Sequence, residues 1–162
     1  MSLQFSLPQN AQVVEILNPA ADAAGRTGAY VTLKNMHKAW LVFHITQGNA
    51  ATIQLSVNQA TTVTGTSAKA ITVATPIWSD LDTSTNDTLT ARTAAVNYTT
   101  DAGLKNKIVV FEINPADLDV ANGFDCITGV TGASNAANIT ECILYGVNNR
   151  FMQATPPSAV VN

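Results

Sequence analysis

Charged side chains are scarce in this sequence. Asp, Glu, Lys and Arg make up 12% of its 162 residues, roughly half of their share in a typical soluble domain. A surface with few charges is weakly protected against association, so the composition favours a subunit covered by copies or partners over a Thr- and Asn-rich monomer. The net charge is −3 and no basic run occurs, so a nucleic-acid partner is not expected.

Leader-like and long apolar segments are also missing. Residues 1–8 contain neither a basic segment nor a sustained apolar segment of the kind found in signal peptides. No stretch approaches the ~20 apolar residues that span a bilayer. These absences predict a protein that folds in a cytoplasm and has no membrane partner.

Cysteine and histidine occur twice each. Cys126 and Cys142 lie in strand-like segments and are predicted to be buried small apolar side chains, in keeping with a compartment where thiols stay reduced. Whether they pair is a question of geometry that the sequence leaves open. His44 lies in an apolar strand and is predicted to be a hydrogen-bonded core residue, whereas His37, beside a turn, is expected to be solvated.

Motifs of catalysis are absent. No Gly-rich phosphate loop, His-Glu-x-x-His, Cys-x-x-Cys or Gly-x-Ser-x-Gly pattern is present, so the sequence predicts a protein that is not an enzyme and has no catalytic residue, cofactor or metal. One metal is considered as an exception, Ca²⁺, because aspartates in loops supply the oxygen ligands that it binds. Their spacing matches no EF-hand loop, and loop aspartates commonly form turns. The candidates are Asp80, Asp82, Asp87, Asp117, Asp119 and Asp125.

Aromatic residues make up only 6% of the chain, which leaves few platforms for a sugar. Trp40 is expected to be buried, so Trp78 and Tyr98 are the aromatic candidates for such a surface. A carbohydrate-binding β-sandwich therefore stays open as an alternative function.

Strand patterns dominate what is present. Residues 38–46 are apolar at both alternating sets of positions, which predicts a central strand covered on each side. Residues 52–57 alternate cleanly and are predicted to pair with it, and residues 107–113 form another strand. Asn114 and Pro115 predict one short helix, because Asn caps a helix and Pro suits its first position.

The order of these segments predicts the architecture. Many short strands separated by turns, with almost no helix, favour an all-β fold: a single antiparallel β-sandwich, jelly-roll-like, with extended termini. Residues 1–11 are predicted to be an N-terminal arm, 12–153 the sandwich domain and 154–162 an extended tail. Within that frame, 13–17 is a short first strand and 18–28 an Ala-rich loop.

Four segments carry a family resemblance: residues 30–35, 59–70, 116–126 and 157–162. Together they resemble small structural proteins that tailed bacteriophages encode in their head-gene region, and the likeness extends from about residue 28 onward. The resemblance implies a capsid decoration (cement) protein, many copies of which bind the outside of the expanded shell. It also implies a small β-fold that is commonly a homotrimer and that has the major capsid protein as its partner.

The resulting hypothesis is a virion structural protein on the capsid exterior, assembled in the host cytoplasm, that bridges and stabilises capsomers. Apolar residues near the two ends are the predicted contacts with the capsid or with neighbouring copies: Leu3, Phe5, Leu7, Phe151 and Met152. A head–tail connector or tail component is the alternative within the same particle.

Overall fold

The computed structural model describes residues 7–147 and 158–161, and strands dominate that part of the chain. The strands are β1 (Ala11–Ala21), β2 (Arg26–Thr27), β3 (Val31–Thr32), β4 (Lys38–Gln47), β5 (Gln54–Ala60), β6 (Lys69–Ala70), β7 (Thr75–Asp80), β8 (Thr90–Ala95), β9 (Asn97–Thr99), β10 (Asn106–Ile113), β11 (Cys126–Thr131) and β12 (Asn138–Val147). The described helical structure is one turn, α1 (Leu7–Asn10), and two 3₁₀ turns, Pro115–Asp117 and Val120–Asn122.

Two antiparallel sheets form a jelly roll. The first sheet has the order β1-β12-β4-β10-β7-β8, and the second has the order β2-β11-β5-β6, with β3 also on β11 and β9 also on β5. When the eight strands of a jelly roll are numbered along the chain, its sheets read 1-8-3-6 and 2-7-4-5. The strands β1, β12, β4, β10 and β2, β11, β5, β6 take those places. The predicted all-β antiparallel sandwich is therefore confirmed.

Two additions distinguish this jelly roll. The β7–β8 hairpin lies beside β10 and widens the first sheet by two strands. The short strands β6 and β9 share one edge of β5, pairing with opposite ends of it. The first sheet is therefore wide and continuous, whereas the second has only short strands at its margins.

The core lies between the sheets and follows the period of two that places alternate side chains on one face. Leu41, Phe43 and Ile45 of β4 point inward and are almost fully buried. The Phe43 and Phe111 rings meet edge to face with centroids 5.7 Å apart, an arrangement that the ring quadrupoles favour. Cys126 and Cys142 are buried, as predicted, and both are free, which settles the pairing that the sequence left open.

The loop predicted at 18–28 is largely a strand. β1 continues to Ala21 through two register irregularities, which accommodate Pro19 at the edge of the sheet. Asp22 then ends it, fully buried, and accepts hydrogen bonds from Arg26, from Thr131 of the second sheet and from Thr140 of the first. The buried Asp22 carboxylate thus joins the two sheets where β1 ends.

The described part of the N-terminal arm differs from the extended segment predicted. Residues 7–10 of the arm form the helical turn α1, which packs on the start of β1. At the other end, Ala159 is buried, and its carbonyl oxygen accepts a hydrogen bond from Thr32 of β3 at 2.9 Å. The predicted domain end at residue 153 lies outside the described residues. The short helix is where it was predicted, as a 3₁₀ turn with the Asn114 side chain accepting from the Ala116 backbone N–H.

Candidate binding surface

The outer face of the first sheet carries a row of apolar side chains. The strand registers place Ile143 of β12, Val42 of β4, Val110 of β10 and Trp78 of β7 side by side. Trp78 is 37% exposed, whereas Val110 is 7% exposed because its neighbours in the row cover it. This set, which we call the apolar stripe, crosses four strands on the side facing away from the core.

A second row runs beside the apolar stripe. It places Val13, Tyr145 and Trp40 next to Glu112, and Val13 is 51% exposed. Lys38 forms an ion pair with Glu112 and lies over the Trp40 ring, 5.9 Å from its centroid. The charges at this end of the face are therefore already paired within the chain.

The other side of the apolar stripe ends in a paired acid and imidazole. His44 Nδ1 lies 2.5 Å from Glu141 Oε1, and the two side chains are 37% and 29% exposed. Together with Pro19, Ile108 and Ile139 they line a shallow concavity of about 400 Å³. The floor of this concavity is therefore polar at the His44–Glu141 pair and apolar around it.

These positions correct two predictions. His44 and Trp40 lie on the outer face and are half-buried, not in the core. β4 is central, between β12 and β10, but only its inner face is covered by the second sheet. An apolar pattern on both faces indicates a strand covered twice, but the outer side chains of β4 are half-buried or exposed. His37 is exposed, as predicted.

The loop aspartates are used locally. The Ser84 hydroxyl and Lys105 hold the pKa of Asp82 well below its ordinary value. The hydrogen bond from Lys69 lowers the pKa of Asp119. Asp125 pairs with Lys34 at 3.4 Å. Among the described residues, no group of three or more His, Cys, Asp or Glu side chains is placed to hold a metal ion.

The thiols are poor nucleophiles in the folded chain. Burial, aided by the neighbouring Asp125 carboxylate, raises the pKa of Cys126 to about 12. Burial also raises the pKa of Cys142 well above its ordinary value. Since the thiolate is the reactive form, neither residue supplies chemistry at neutral pH.

The aromatic residues considered for sugar binding separate in the fold. Trp78 belongs to the outer face, whereas Tyr98 is half-buried in β9 of the other sheet, with its hydroxyl 3.5 Å from Ser79 Oγ. Tyr98 packs against the core. The pair therefore does not form one exposed platform.

The predicted contact residues lie mostly beyond the described structure. Leu3, Phe5, Phe151 and Met152 fall outside the described residues. Leu7 is 44% exposed in α1 and, with β1 and residues 158–160, lines a concavity of about 620 Å³ at the β1 edge. The outer face of the first sheet was not among the predicted contacts, although the second apolar set in residues 38–46 was a signal for it.

Comparisons with known proteins assign no family. No protein-family model and no curated protein matches the sequence. A solved structure described as the SPBc2 prophage-derived protein YomS is similar, with a TM-score of 0.49, 8% identity and coverage of 90% of this chain and 99% of that one. A putative sugar binding protein from Bacteroides thetaiotaomicron gives a TM-score of 0.31 with 11% identity, over 85% of this chain and 88% of that one. Neither similarity is high enough to assign a fold family or a function.

Within the described part of the chain, no helix has the length and apolarity needed to cross a bilayer.

Proposed function

We propose that this chain is a non-enzymatic structural protein of a tailed-phage virion. In this role it binds the outer surface of the capsid as a decoration protein, bridges capsomers and associates with its own copies, as a trimer. The sequence resemblance is the basis for choosing a tailed-phage virion as the particle. The observation that carries the binding role is the outer face of the first sheet, where the apolar stripe runs from the half-buried Ile143 and Val42 to Trp78, which is 37% exposed.

The size of this face suits a protein–protein contact. Its six strands are 6 to 11 residues long, and with a spacing of about 4.8 Å they span roughly 700 Å². A standard interface buries roughly 800 Å² on each partner. An apolar centre with a polar rim is also the usual anatomy of such interfaces.

The electrostatics of the face favour a partner that is uncharged where it touches. Burying an unpaired charge is costly, but Glu112 is paired with Lys38, and Glu141 has a hydrogen-bond partner in His44 Nδ1. A capsid surface can therefore cover them without supplying ions. This distinguishes the face from a nucleic-acid surface, which needs clustered unpaired basic residues.

Binding of this kind stabilises the capsid shell by mass action. A protein that binds the assembled shell and not its separated subunits shifts the equilibrium toward the shell. A modest contact repeated over an icosahedral surface becomes a large total, and no chemistry at the site is required.

The test is a co-sedimentation titration of purified protein against expanded capsids that lack it, with bound copies counted at saturation. We expect hundreds of copies per capsid and decorated capsids that survive a higher temperature. Saturation at about a dozen copies, the size of a ring at one vertex, would replace decoration with a connector or tail role.

Absence of binding would reject the capsid role altogether. The remaining alternative, a carbohydrate-binding sandwich, then predicts a glycan-dependent fluorescence change from Trp78 on the exposed face, which a Trp78→Phe variant would lose.

A further inference from the structure

One hydrogen-bonded pair on the outer face of the first sheet is able to change its charge. His44 of β4 and Glu141 of β12 are direct neighbours in the strand register, and His44 Nδ1 lies 2.5 Å from Glu141 Oε1. An ionised carboxylate only accepts hydrogen bonds, so Nδ1 carries the hydrogen between the two groups. Imidazole is the side chain that ordinarily gains a proton between about pH 8 and pH 5. In this pair, the atom that gains it is Nε2.

The proton on Nε2 decides the net charge of the pair. Without it, the pair carries the single negative charge of Glu141; with it, the imidazolium and the carboxylate cancel. Both side chains are partly exposed in the free subunit, so water solvates the pair in either state. The two states therefore differ most when a partner removes that water.

His44 is the one group that can compensate the Glu141 carboxylate. Among the described residues, no other hydrogen bond or ion pair reaches that carboxylate. The concavity around the pair is lined mainly by uncharged side chains, including Pro19, Ile108 and Ile139. A partner that covers the concavity therefore finds one carboxylate whose charge depends on His44 alone.

The other charged groups near this row are held by their own contacts. On β10 the neighbour of His44 is Ile108, and Asp80 of β7 comes next along the row. Asp80 is buried and accepts a hydrogen bond from the backbone N–H of Asp82; its negative charge also favours a proton on His44. Three ion pairs surround the row: Asp82 with Lys105, Asp22 with Arg26, and Asp101 with Lys107.

The proposed capsid contact covers this pair, because His44 and Glu141 lie beside the apolar stripe. Burying a carboxylate without a charged partner is much more costly than burying one that has such a partner. The capsid surface argued above is uncharged where it touches, so it brings no cation to Glu141. The compensating charge is then a proton that His44 Nε2 takes from solvent.

We propose that capsid binding is coupled to the uptake of a proton by His44, so that the subunit binds more tightly as the pH falls from about 8 to about 6. The inference rests on the proposed capsid contact and adds its regulation. The direction follows from linkage, since the state that binds more protons is favoured at lower pH. Coupling to one proton limits the effect to about tenfold in affinity per pH unit.

The first measurement is the co-sedimentation titration repeated at about pH 8, 7 and 6 at constant ionic strength. We expect the affinity of the parent chain to rise about threefold or more over this range. His44→Gln keeps a hydrogen-bond donor but cannot gain a charge, so it should lose this rise. His37→Gln, which changes the exposed histidine, is the matched control and should keep the rise. Groups on the capsid titrate equally in all the titrations, so the difference between variants is the readout.

Glu141→Gln gives the sharpest result, because it should reverse the pH dependence. The amide still accepts from Nδ1, but a protonated imidazole is now covered without a carboxylate, which is costly. Its affinity should therefore fall as the pH falls. Thermal unfolding midpoints of the variants check that each chain is folded.

The second measurement counts the protons directly. Calorimetric titration of capsids near pH 7, in two buffers that differ in ionisation enthalpy, gives the number of protons taken up per bound copy. We expect a fraction of one proton for the parent chain and less for His44→Gln. Equal uptake and parallel pH curves for these two chains would overturn the inference while leaving capsid binding in place. Absence of binding at every pH would reject the proposed function, and this inference with it.

Discussion

At the scale of single residues, the most unusual side chain in the core is Lys107. It is fully buried, and its ammonium donates to Gln47 Oε1 at 2.7 Å, to the Gly103 carbonyl oxygen at 2.7 Å and to Asp101 Oδ1 at 2.6 Å. A buried charge is tolerated only when it is paired and hydrogen-bonded. Lys107 therefore connects the loop at 101–105 to the start of β10 through these hydrogen bonds.

Replacing Lys107 by Met tests this role. The apolar stem is kept, but the buried Gln47 oxygen loses its donor, so we expect the free energy of unfolding to fall by about 2 kcal/mol. Urea denaturation followed by tryptophan fluorescence measures it. Lys105→Met, which removes an ion pair with Asp82 at the surface, is the control and should leave the midpoint unchanged. Equal midpoints for the two variants would refute the role assigned to Lys107.

The same contact has a pH signature. The hydrogen bond from Lys107 is the main reason that the pKa of Asp101 lies below its ordinary value. A carboxyl with a lowered pKa in the folded state contributes its stability above the unfolded pKa of about 4, and loses it as the pH falls through the folded value. Between pH 5 and pH 2, the unfolding midpoint of Lys107→Met should therefore fall less than that of the parent chain. Parallel pH curves would contradict the assignment.

At the scale of elements, the spacing between the sheets depends on Gly129 of β11. A Cβ at this position would stand 2.9 Å from Phe43 Cζ and 3.0 Å from Cys142 Sγ, both on the first sheet. The missing side chain is what lets the Phe43 ring lie against the backbone of the opposite sheet. Interiors are packed closely enough for one methyl group to matter.

Gly129→Ala is therefore expected to destabilise the fold by about 1–3 kcal/mol through overpacking. Phe43→Leu creates space at the same point, so the double variant should be more stable than the sum of the two single effects. A double-mutant cycle by thermal or urea unfolding measures that coupling. Additive effects would show that the two positions do not share the contact.

At the scale of the whole molecule, the two outer faces of the sandwich differ in kind. The first sheet shows the apolar stripe, whereas the second shows polar side chains such as Ser56 and Asn58 on β5. A subunit with one apolar and one polar outer face has a defined orientation on its partner. In the proposed virion role, the first sheet faces the capsid and the second faces solvent.

Val42→Lys places a charge in the middle of the apolar stripe and is expected to weaken capsid binding about tenfold or more, since central interface positions carry most of the energy. Ser56→Lys makes the matched change on the second sheet and should leave the affinity unchanged. The co-sedimentation titration measures both, with thermal unfolding as the check on folding. If both variants bind as the parent does, the first sheet is not the capsid contact.

The sequence by itself determined the class of fold and the positions of its strongest strands. A short run rich in β-branched, aromatic and other apolar residues is a local signal, so residues 38–46 and 107–113 are recognisable as strands wherever they lie in the sheet. The Asn114-Pro115 turn is equally local, because a cap and a fixed φ act within a few residues.

Only the tertiary structure decided which faces are covered, and the reason is that cover comes from residues far away in the chain. The apolar residues around Trp40 and His44 in the sequence predict that both are core residues. The second sheet packs on the opposite side of β4, so both lie on the outer face. The sequence pattern did not single out Asp22 or Lys107, yet distant strands and loops enclose both charges with partners. The place of β8 at the edge of the first sheet depends likewise on strand order, which the local pattern of residues does not contain.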